Sequence, residues 1–484
     1  MYDAHRKQRR HPSSGPAGKS SRLPTYVDYA GGDGAGADGR AADGDDKARR
    51  YRYGVRSRAI ERAKTATGWA GPLLRSAIRA GILESTFWKR TALVVLVSVA
   101  AGLLYFWRSY ETHIELAFHS RNWIKRAILP VPPLSGTCFS SSSLSTSSYN
   151  VSLSSSPKYL SLNPGISMKF GLDCYHFSRL LPSDPLIGQI LPEHTIYHLY
   201  WRADLAPLGE RQVLLIQSLL ITQDPAHSSI ILWTTDASLL DNSLLIPIVS
   251  VAGPERFTVQ VVDPNALAKG TYMQDHPALH TSSRDKRGWV DGDLIRVLVL
   301  YAHGGVWIDM DSLVLRSFRP LLEQEWVTQW DCYEKPYAPL NGAVLHFQKH
   351  SPYLCEMLYA MATGPAPRSS STDWGSVLYH QLDRRLLQAG ERPFAVLPYC
   401  LADSRSCRLD NRLPDPFEKD DPWIKSDDRA KELAMKLDSI FSIHLHNQWE
   451  KDFPKGGWME RLVIQHIQAK WQMLALAVQE NSQG

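Results

Sequence analysis

Between Glu193 and about Leu474, short β-branched and aromatic runs alternate with segments of helical spacing. The runs that predict strands are Thr195 to Trp201 (TIYHLYW), Ile230 to Thr235 (IILWTT), Phe257 to Asp263 (FTVQVVD), Val306 to Asp311 (VWIDMD), Trp326 to Asp331 (WVTQWD) and Ala343 to Phe347 (AVLHF). Helical patterns fall at Glu210 to Gln223, in a segment opened by Asp291 or Asp293 as N-cap and closed by Gly304, at Pro352 to Thr363, and at Trp374 to Ala389. Alternation of this kind predicts an α/β domain with a mostly parallel sheet, whose ligands bind at the carboxyl ends of the strands.

Upstream the pattern changes twice. Thr91 to Trp107 (TALVVLVSVAAGLLYFW) is uncharged and apolar on every face, with Trp88, Lys89 and Arg90 before it and Arg108 after it. It sits at the short end of the roughly 17–25 residues that cross a bilayer, and predicts a single-pass anchor over 91–107. Arg75, Arg79, Lys89 and Arg90 favour a cytosolic N-terminal side, so the expected arrangement is type II with a luminal body in the ER or Golgi membrane. Residues 1–90 show no apolar period and read as a disordered tail, with a basic run at Arg49 to Lys64. Residues 108–190 read as a Ser-rich luminal stem carrying the glycosylation triplet Asn150-Val151-Ser152. The catalytic domain is expected over 191–474.

Charge divides the same way. The chain carries a formal net charge of +5, but residues 1–90 hold 19 Lys+Arg against 9 Asp+Glu, a net of +10 that leaves the remainder at −5. A mildly acidic body argues against a nucleic-acid partner. Six cysteines fit an oxidising compartment without forming a disulfide-dense scaffold. Cys400 and Cys407, in CLADSRSC, are the expected pair. Cys138, Cys174, Cys332 and Cys355 have neither an assigned partner nor zinc-ligand spacing.

The candidate chemistry lies in YAHGGVWIDMD, Tyr301 to Asp311. In an extended chain residues i and i+2 share a side, so Asp309 and Asp311 would face the same space, with Met310 turned into packing. Two solvated loop carboxylates would read identically. At the end of an α/β strand, however, the pair suits one hard divalent cation, Mg²⁺ or Mn²⁺, shared with substrate phosphates. The sequence after Ser312 turns apolar, which excludes a calcium loop. There is neither a phosphate-binding Gly-rich loop ending in Gly-Lys-Ser/Thr nor a Gly-x-Ser-x-Gly elbow. A phosphatase with an aspartyl nucleophile remains an alternative, although its motif would be expected on the first strand of the domain.

DGDLIRVLVLYAHGGVWIDMDSLVL, NGAVLHFQKHSPYL, DWGSVLYHQL and IHLHN together resemble the family 32 glycosyltransferases. That family includes fungal α-mannosyltransferases, α1,4-galactosyl- and N-acetylglucosaminyltransferases, and fungal capsule and surface-glycan enzymes. The resemblance covers roughly residues 190–450. It implies a GT-A fold and a metal-dependent, retaining transfer of a hexose or N-acetylhexosamine from a UDP- or GDP-sugar to a glycan or glycolipid acceptor. It further implies Asp309, Asp311 and His444 as metal ligands, and Asp293, Arg296, Asn341, Asp373, Trp374 and Asn447 as substrate-binding residues. Trp201 resembles the aromatic that stacks on the nucleotide base. As bare residues, Asp293 and Arg296 would equally serve as a cap and a surface i,i+3 pair. A catalytically inactive glycan-binding protein of the same fold is the non-enzyme alternative. In SIFSIHLHNQW, alternation would put His444 and His446 on one face of a strand, and the resemblance singles out His444 and Asn447.

Overall fold

The structure, a computed structural model, describes residues 86–110, 121, 131–152, 172–185, 187–281, 285, 287–330, 332, 339–405, 407, 411–420 and 426–483. Residues 1–85 of the expected tail, with Arg49 to Lys64, and residues 111–120, 122–130, 153–171 and 186 of the expected stem lie outside these residues. The chain divides into two units, one holding the apolar helix and the other the body from Ser120 onward.

In the first unit, helix α1 runs Thr86–Ser109. Within it, Trp88–Ser109 spans 22 residues, its most apolar 18-residue stretch has a mean hydropathy of 1.8 and is wholly unburied, and it is long and apolar enough to cross a membrane. It outruns the expected 91–107 because Trp88 and the flanking basic residues continue the helix on either side.

The body is built on a seven-stranded sheet and a two-stranded one. The strands are β1 (Thr195–Trp201), β2 (Ser228–Thr234), β3 (Phe257–Val261), β4 (Gly305–Ile308), β5 (Ser312–Val314), β6 (Trp326–Gln329), β7 (Leu340–Phe347), β8 (Ala395–Leu397) and β9 (Ser442–His444). The large sheet has the order β3-β2-β1-β4-β7-β6-β8. β3, β2, β1 and β4 are parallel, β7 runs against both β4 and β6, and β8 is parallel to β6. This is the mostly parallel α/β sheet that the alternation of strands and helices predicts.

Helices of eight residues or more in the body are α2 (Asp173–Leu180), α3 (Glu210–Thr222), α4 (Trp289–His303), α5 (Pro352–Thr363), α6 (Ser376–Ala389), α7 (Asp427–Ser439) and α8 (Gln465–Gln483). Alternation along the strands sorts them into two layers. Val306 and Ile308 of β4 enter one core with α3 and α7, whereas Trp307 enters the other with α4, α5 and α6. Near-continuous apolar strands such as β7, buried at every position, follow from having both faces covered.

α4 starts earlier than its aspartates imply. Gly288, at φ +68°, precedes Trp289, and the Val290 N–H donates to Asp285 Oδ2 at 2.8 Å. Asp291 and Asp293 therefore lie inside the first turns and are not caps. Gly304 ends the helix at φ +70° as expected, and Gly305 follows at φ +110°. A side chain on Gly305 would meet the Ile196 carbonyl, so the turn into β4 is tight against β1.

The expected Cys400–Cys407 pair does not form. Cys400 bonds Cys174 of α2, Cys407 bonds Cys332, and Cys138 bonds Cys355. A helical turn at Tyr399–Ala402 carries Cys400 into the core against α2, and Cys407 turns to the segment beyond β6. The described part of the expected stem is also packed. Cys138 is tied to α5, Tyr149 Oη donates to Glu325 at 2.7 Å, and the Ser135 N–H donates to buried Glu356 at 3.0 Å.

Candidate active site

Asp309 to Asp311 do not continue β4. They form a turn, closed by the Ser312 N–H donating to the Asp309 carbonyl at 3.0 Å, and the Asp309 N–H is anchored on Ala343 of β7 at 2.7 Å. The carboxylates converge through this turn and not by strand alternation, and their surroundings differ. The Asp309 side chain keeps 28% of its surface, the Asp311 side chain 3%. Met310 is buried, as expected.

His444 arrives from the far end of the chain. β5 pairs antiparallel with β9, placing Ser312 opposite His444. That register brings imidazole Nε2 to 3.2 Å from Asp311 Oδ2. One ligand atom from each of Asp309, Asp311 and His444 lies within 4.8 Å of the others. The buried Nε2 faces Asp311 as its ion-pair partner and has no other polar neighbour in hydrogen-bonding geometry. An imidazole nitrogen set beside two carboxylates is a donor set of a kind that could hold a divalent cation.

After His444 the strand stops. His446 and Asn447 adopt left-handed backbone at φ +56° and +53°. This turn aims the Asn447 N–H at Asp311 Oδ2, 2.5 Å away, while the Asn447 side chain accepts from the Trp449 indole at 3.2 Å. The turn also folds His446 beside His444, with ring centroids 4.5 Å apart.

A third carboxylate, which the sequence did not mark, holds these rings. Asp403 is fully buried and accepts from Asn341 Nδ2 at 2.6 Å. Asp403 Oδ2 lies 3.2 Å from His444 Nδ1, and Oδ1 lies 2.5 Å from His446 Nε2. Asn341 Oδ1 in turn accepts the Ala343 N–H at 2.9 Å, so both ends of that amide are committed within the protein. Burial alone would lower the His444 pKa, but Asp311 and Asp403 outweigh it and hold the pKa well above the ordinary value. Burial would raise Asp403, yet His446 and His444 keep it ionised. In CLADSRSC the only signal for Asp403 is its place between two cysteines, which carries no chemistry by itself.

On the other side of Asp309, Arg296 of α4 ties the acids together. Its guanidinium donates to Asp293, to Tyr379 Oη at 2.9 Å and to Asp309 Oδ1 at 2.9 Å. Asp309 Oδ1 also accepts from the Trp307 indole at 2.7 Å. Burial raises Asp293 to about 6, against the pull of Arg296. Asp293 and Arg296 thus form a buried pair and not a surface one. Two glycines make room for it. A Cβ on Gly375 would come within 2.8 Å of an Asp293 oxygen, and one on Gly342 within 2.7 Å of Arg296 Nη1.

The structure does not bring every expected residue to the site. Asp373 is held by Arg368 at 2.9 Å, and Trp374 lies in the core, because Gly375 and not its neighbours reaches Asp293. Trp201 is also a core side chain. Its indole donates to Ala206 at 3.0 Å and the ring meets Trp449 edge-on, so it does not offer an open face to a base.

Residues 209–328 match the model of a family described as a glycosyltransferase sugar-binding region containing a DXD motif. The chain is 25% identical to the lactosylceramide 4-alpha-galactosyltransferase of Rattus norvegicus over 161 residues, which are 32% of this chain and 40% of that protein. An uncharacterized protein of Arabidopsis thaliana is 39% identical over 66 residues, 14% of this chain and 10% of that one. Among solved structures, galactosyltransferase LgtC in complex with donor and acceptor sugar analogs is similar over 58% of this chain and 96% of its own, at 12% identity and a TM-score of 0.29. Mouse xyloside xylosyltransferase 1 is similar over 54% of this chain and 100% of its own, at 10% identity and a TM-score of 0.33. The matched segment holds Asp293, Arg296, Asp309 and Asp311, and over residues 209–328 the chain is similar to glycosyltransferase sugar-binding regions that contain a DXD motif.

Proposed function

We propose that this chain is a metal-dependent, retaining glycosyltransferase of the secretory pathway. It moves a hexose or N-acetylhexosamine from a nucleotide sugar to a glycan or glycolipid acceptor. The observation that carries the reading is the convergence of Asp309, Asp311 and His444 beside the Asp293–Arg296 pair, at the carboxyl end of β4. The rat relative's name, a galactosyltransferase acting on lactosylceramide, supports a glycolipid among the acceptors to be tried.

Asp311, His444 Nε2 and the Asp309 oxygen not bonded to Arg296 would hold the cation. A divalent cation there supplies charge neutralisation for the departing nucleoside diphosphate. Arg296 keeps Asp309 ionised and turned toward Asp311, and fixes Asp293 in place. Asp293 accepts hydrogen bonds from hydroxyls of the donor sugar and orients it. The helix α1, long enough to span a bilayer, supports a membrane anchor. The exposed Asn150 triplet, on the body, supports a luminal catalytic domain.

Incubating the purified body with Mn²⁺ and a panel of nucleotide sugars, and assaying the nucleotide released, tests the reading. Metal-dependent release of UDP or GDP from one donor, stimulated by a glycan acceptor, is expected. Release of phosphate from a phosphomonoester through an aspartyl-phosphate would replace the reading with a phosphatase.

A further inference from the structure

We propose that Asp403 is a positioning residue for the metal centre, fixing the tautomer and ring orientation of His444. The inference rests on the metal-site reading above and concerns a residue outside the matched family segment, which ends at residue 328.

The geometry runs in one direction. His444 presents two nitrogens to two different acids: Nδ1 lies 3.2 Å from Asp403 Oδ2, and Nε2 lies 3.2 Å from Asp311 Oδ2. A cation binds only an unprotonated ring nitrogen, so the other nitrogen must keep the proton. Asp403 is an acceptor for an Nδ1 proton, which leaves the Nε2 lone pair on the side of Asp309 and Asp311. A carboxylate at the second nitrogen also raises the basicity of the ligand.

Asp403 is itself held from every side. Its carboxylate takes the Asn341 amide at 2.6 Å and His446 Nε2 at 2.5 Å, and its own N–H donates to the Tyr399 carbonyl at 2.6 Å. The short helical turn before it is bonded to α2 through Cys400, and Cys407 after it is bonded to Cys332. Two covalent ties within a few residues keep the carboxylate in register with β9. Asn341 and His446 therefore act on the metal through Asp403. Asp403, His444 and His446 also have ligand atoms within 4.8 Å of one another, which is the geometry a second cation would need. The hydrogen bonds that Asp403 already makes to His446 and Asn341 favour the single-ion arrangement.

The test measures Mn²⁺ binding to the full-length protein by electron paramagnetic resonance of free Mn²⁺ and by calorimetry, with UDP or GDP saturating. The variants are Asp403→Asn, His446→Phe and Asp311→Asn, and melting temperature and metal-free nucleotide affinity are read on each. One ion per chain is expected for the wild type. Asp403→Asn should weaken it by about 10–100-fold, the usual effect of removing a carboxylate behind a metal-bound histidine. Its melting temperature should fall, because a buried charge is lost from its paired network, but its metal-free nucleotide affinity should stay near wild type. His446→Phe should weaken it by only a few-fold. If Asp403→Asn binds Mn²⁺ as the wild type does while Asp311→Asn does not, the proposal fails and the metal site stands. Two ions per chain, or a parallel loss of nucleotide affinity in Asp403→Asn, would overturn it in favour of a second ligand set or a structural role. A wild type that binds no Mn²⁺ overturns the metal site and the proposal together, whatever the transfer assay shows.

Discussion

Arg296 Nη2 donates to Asp309 Oδ1 at 2.9 Å, so the first acid of the Asp-x-Asp pair is half committed before any ligand arrives. Together with the Trp307 indole on the same oxygen, this leaves the second Asp309 oxygen to a cation. The like-charge repulsion that the sequence raises is thus relieved within the protein on one flank, by Arg296, and on the other by His444 against Asp311.

Replacing Asp309 or Asp311 with Asn should lower turnover by about 10²–10³-fold, the scale of losing one electrostatic stabiliser. Stability should hardly change for Asp309→Asn, since Arg296 keeps Asp293 and Tyr379 as partners. Steady-state kinetics and thermal melting check both. Turnover within a few-fold of wild type would sink the assignment.

Gly375→Ala tests whether Asp293 acts on the donor. The new methyl would come within 2.8 Å of a carboxylate oxygen already fixed by Arg296, so Asp293 must shift. Misplacing a substrate-orienting group by about 1 Å is expected to cost on the order of 10²-fold in kcat/KM. Circular dichroism should remain native. A variant with wild-type kcat/KM would separate Asp293 from the chemistry.

The disulfide pattern predicts a specific peptide map. Non-reducing digestion should give Cys174–Cys400, Cys332–Cys407 and Cys138–Cys355 peptides. Because Cys174 and Cys400 are 226 residues apart, Cys174→Ser should destabilise the body by about 2–5 kcal/mol, measured as a fall in melting temperature. Recovery of a Cys400–Cys407 peptide would contradict the fold around Asp403.

Acid should destabilise the body through a buried histidine of β1 that makes no contact with the candidate metal ligands. Burial lowers His198 to about 3, and its Nδ1 already accepts the Trp233 indole N–H at 3.1 Å, so the ring stays neutral when folded. Unfolded, it titrates near 6.5 and binds a proton that the native state refuses. Its contribution to stability is therefore complete above about pH 6.5 and is lost as pH falls toward 3, with a limiting slope of about 1.4 kcal/mol per pH unit. Urea unfolding between pH 6 and 5 should be less pH-dependent in His198→Asn by about 1 kcal/mol per unit. Equal slopes in the two proteins would refute the assignment.

If the body is luminal, Asn150 should carry a glycan removable by an endoglycosidase, and protease outside sealed microsomes should trim only the N-terminal tail. Digestion of the body would reverse the topology.

Local chemistry is what the sequence could determine. The spacing of apolar residues located β1 and α5 to the residue, since an alternation and a helical stripe are properties of a few consecutive positions. Gly304 as a helix stop and the Asp309/Asp311 pair were legible for the same reason. Decisions that depend on who meets whom across the chain were not. The alternation in SIFSIHLHNQW marked a strand at β9, but its partner β5 is three residues long and does not signal itself, and only their mutual pairing puts His444 against Asp311. Cys400 and Cys407 sit seven positions apart, yet each bonds a partner that the packing of α2 and the end of β6 delivers. Trp201, expected to stack on a base, and Trp374, expected to bind substrate, are both buried among core side chains, which their letters alone do not reveal. Asp403 has no motif at all. Its position beside His444 comes from β9, the Tyr399–Ala402 turn and two disulfides converging, a relationship that exists only once the chain has folded.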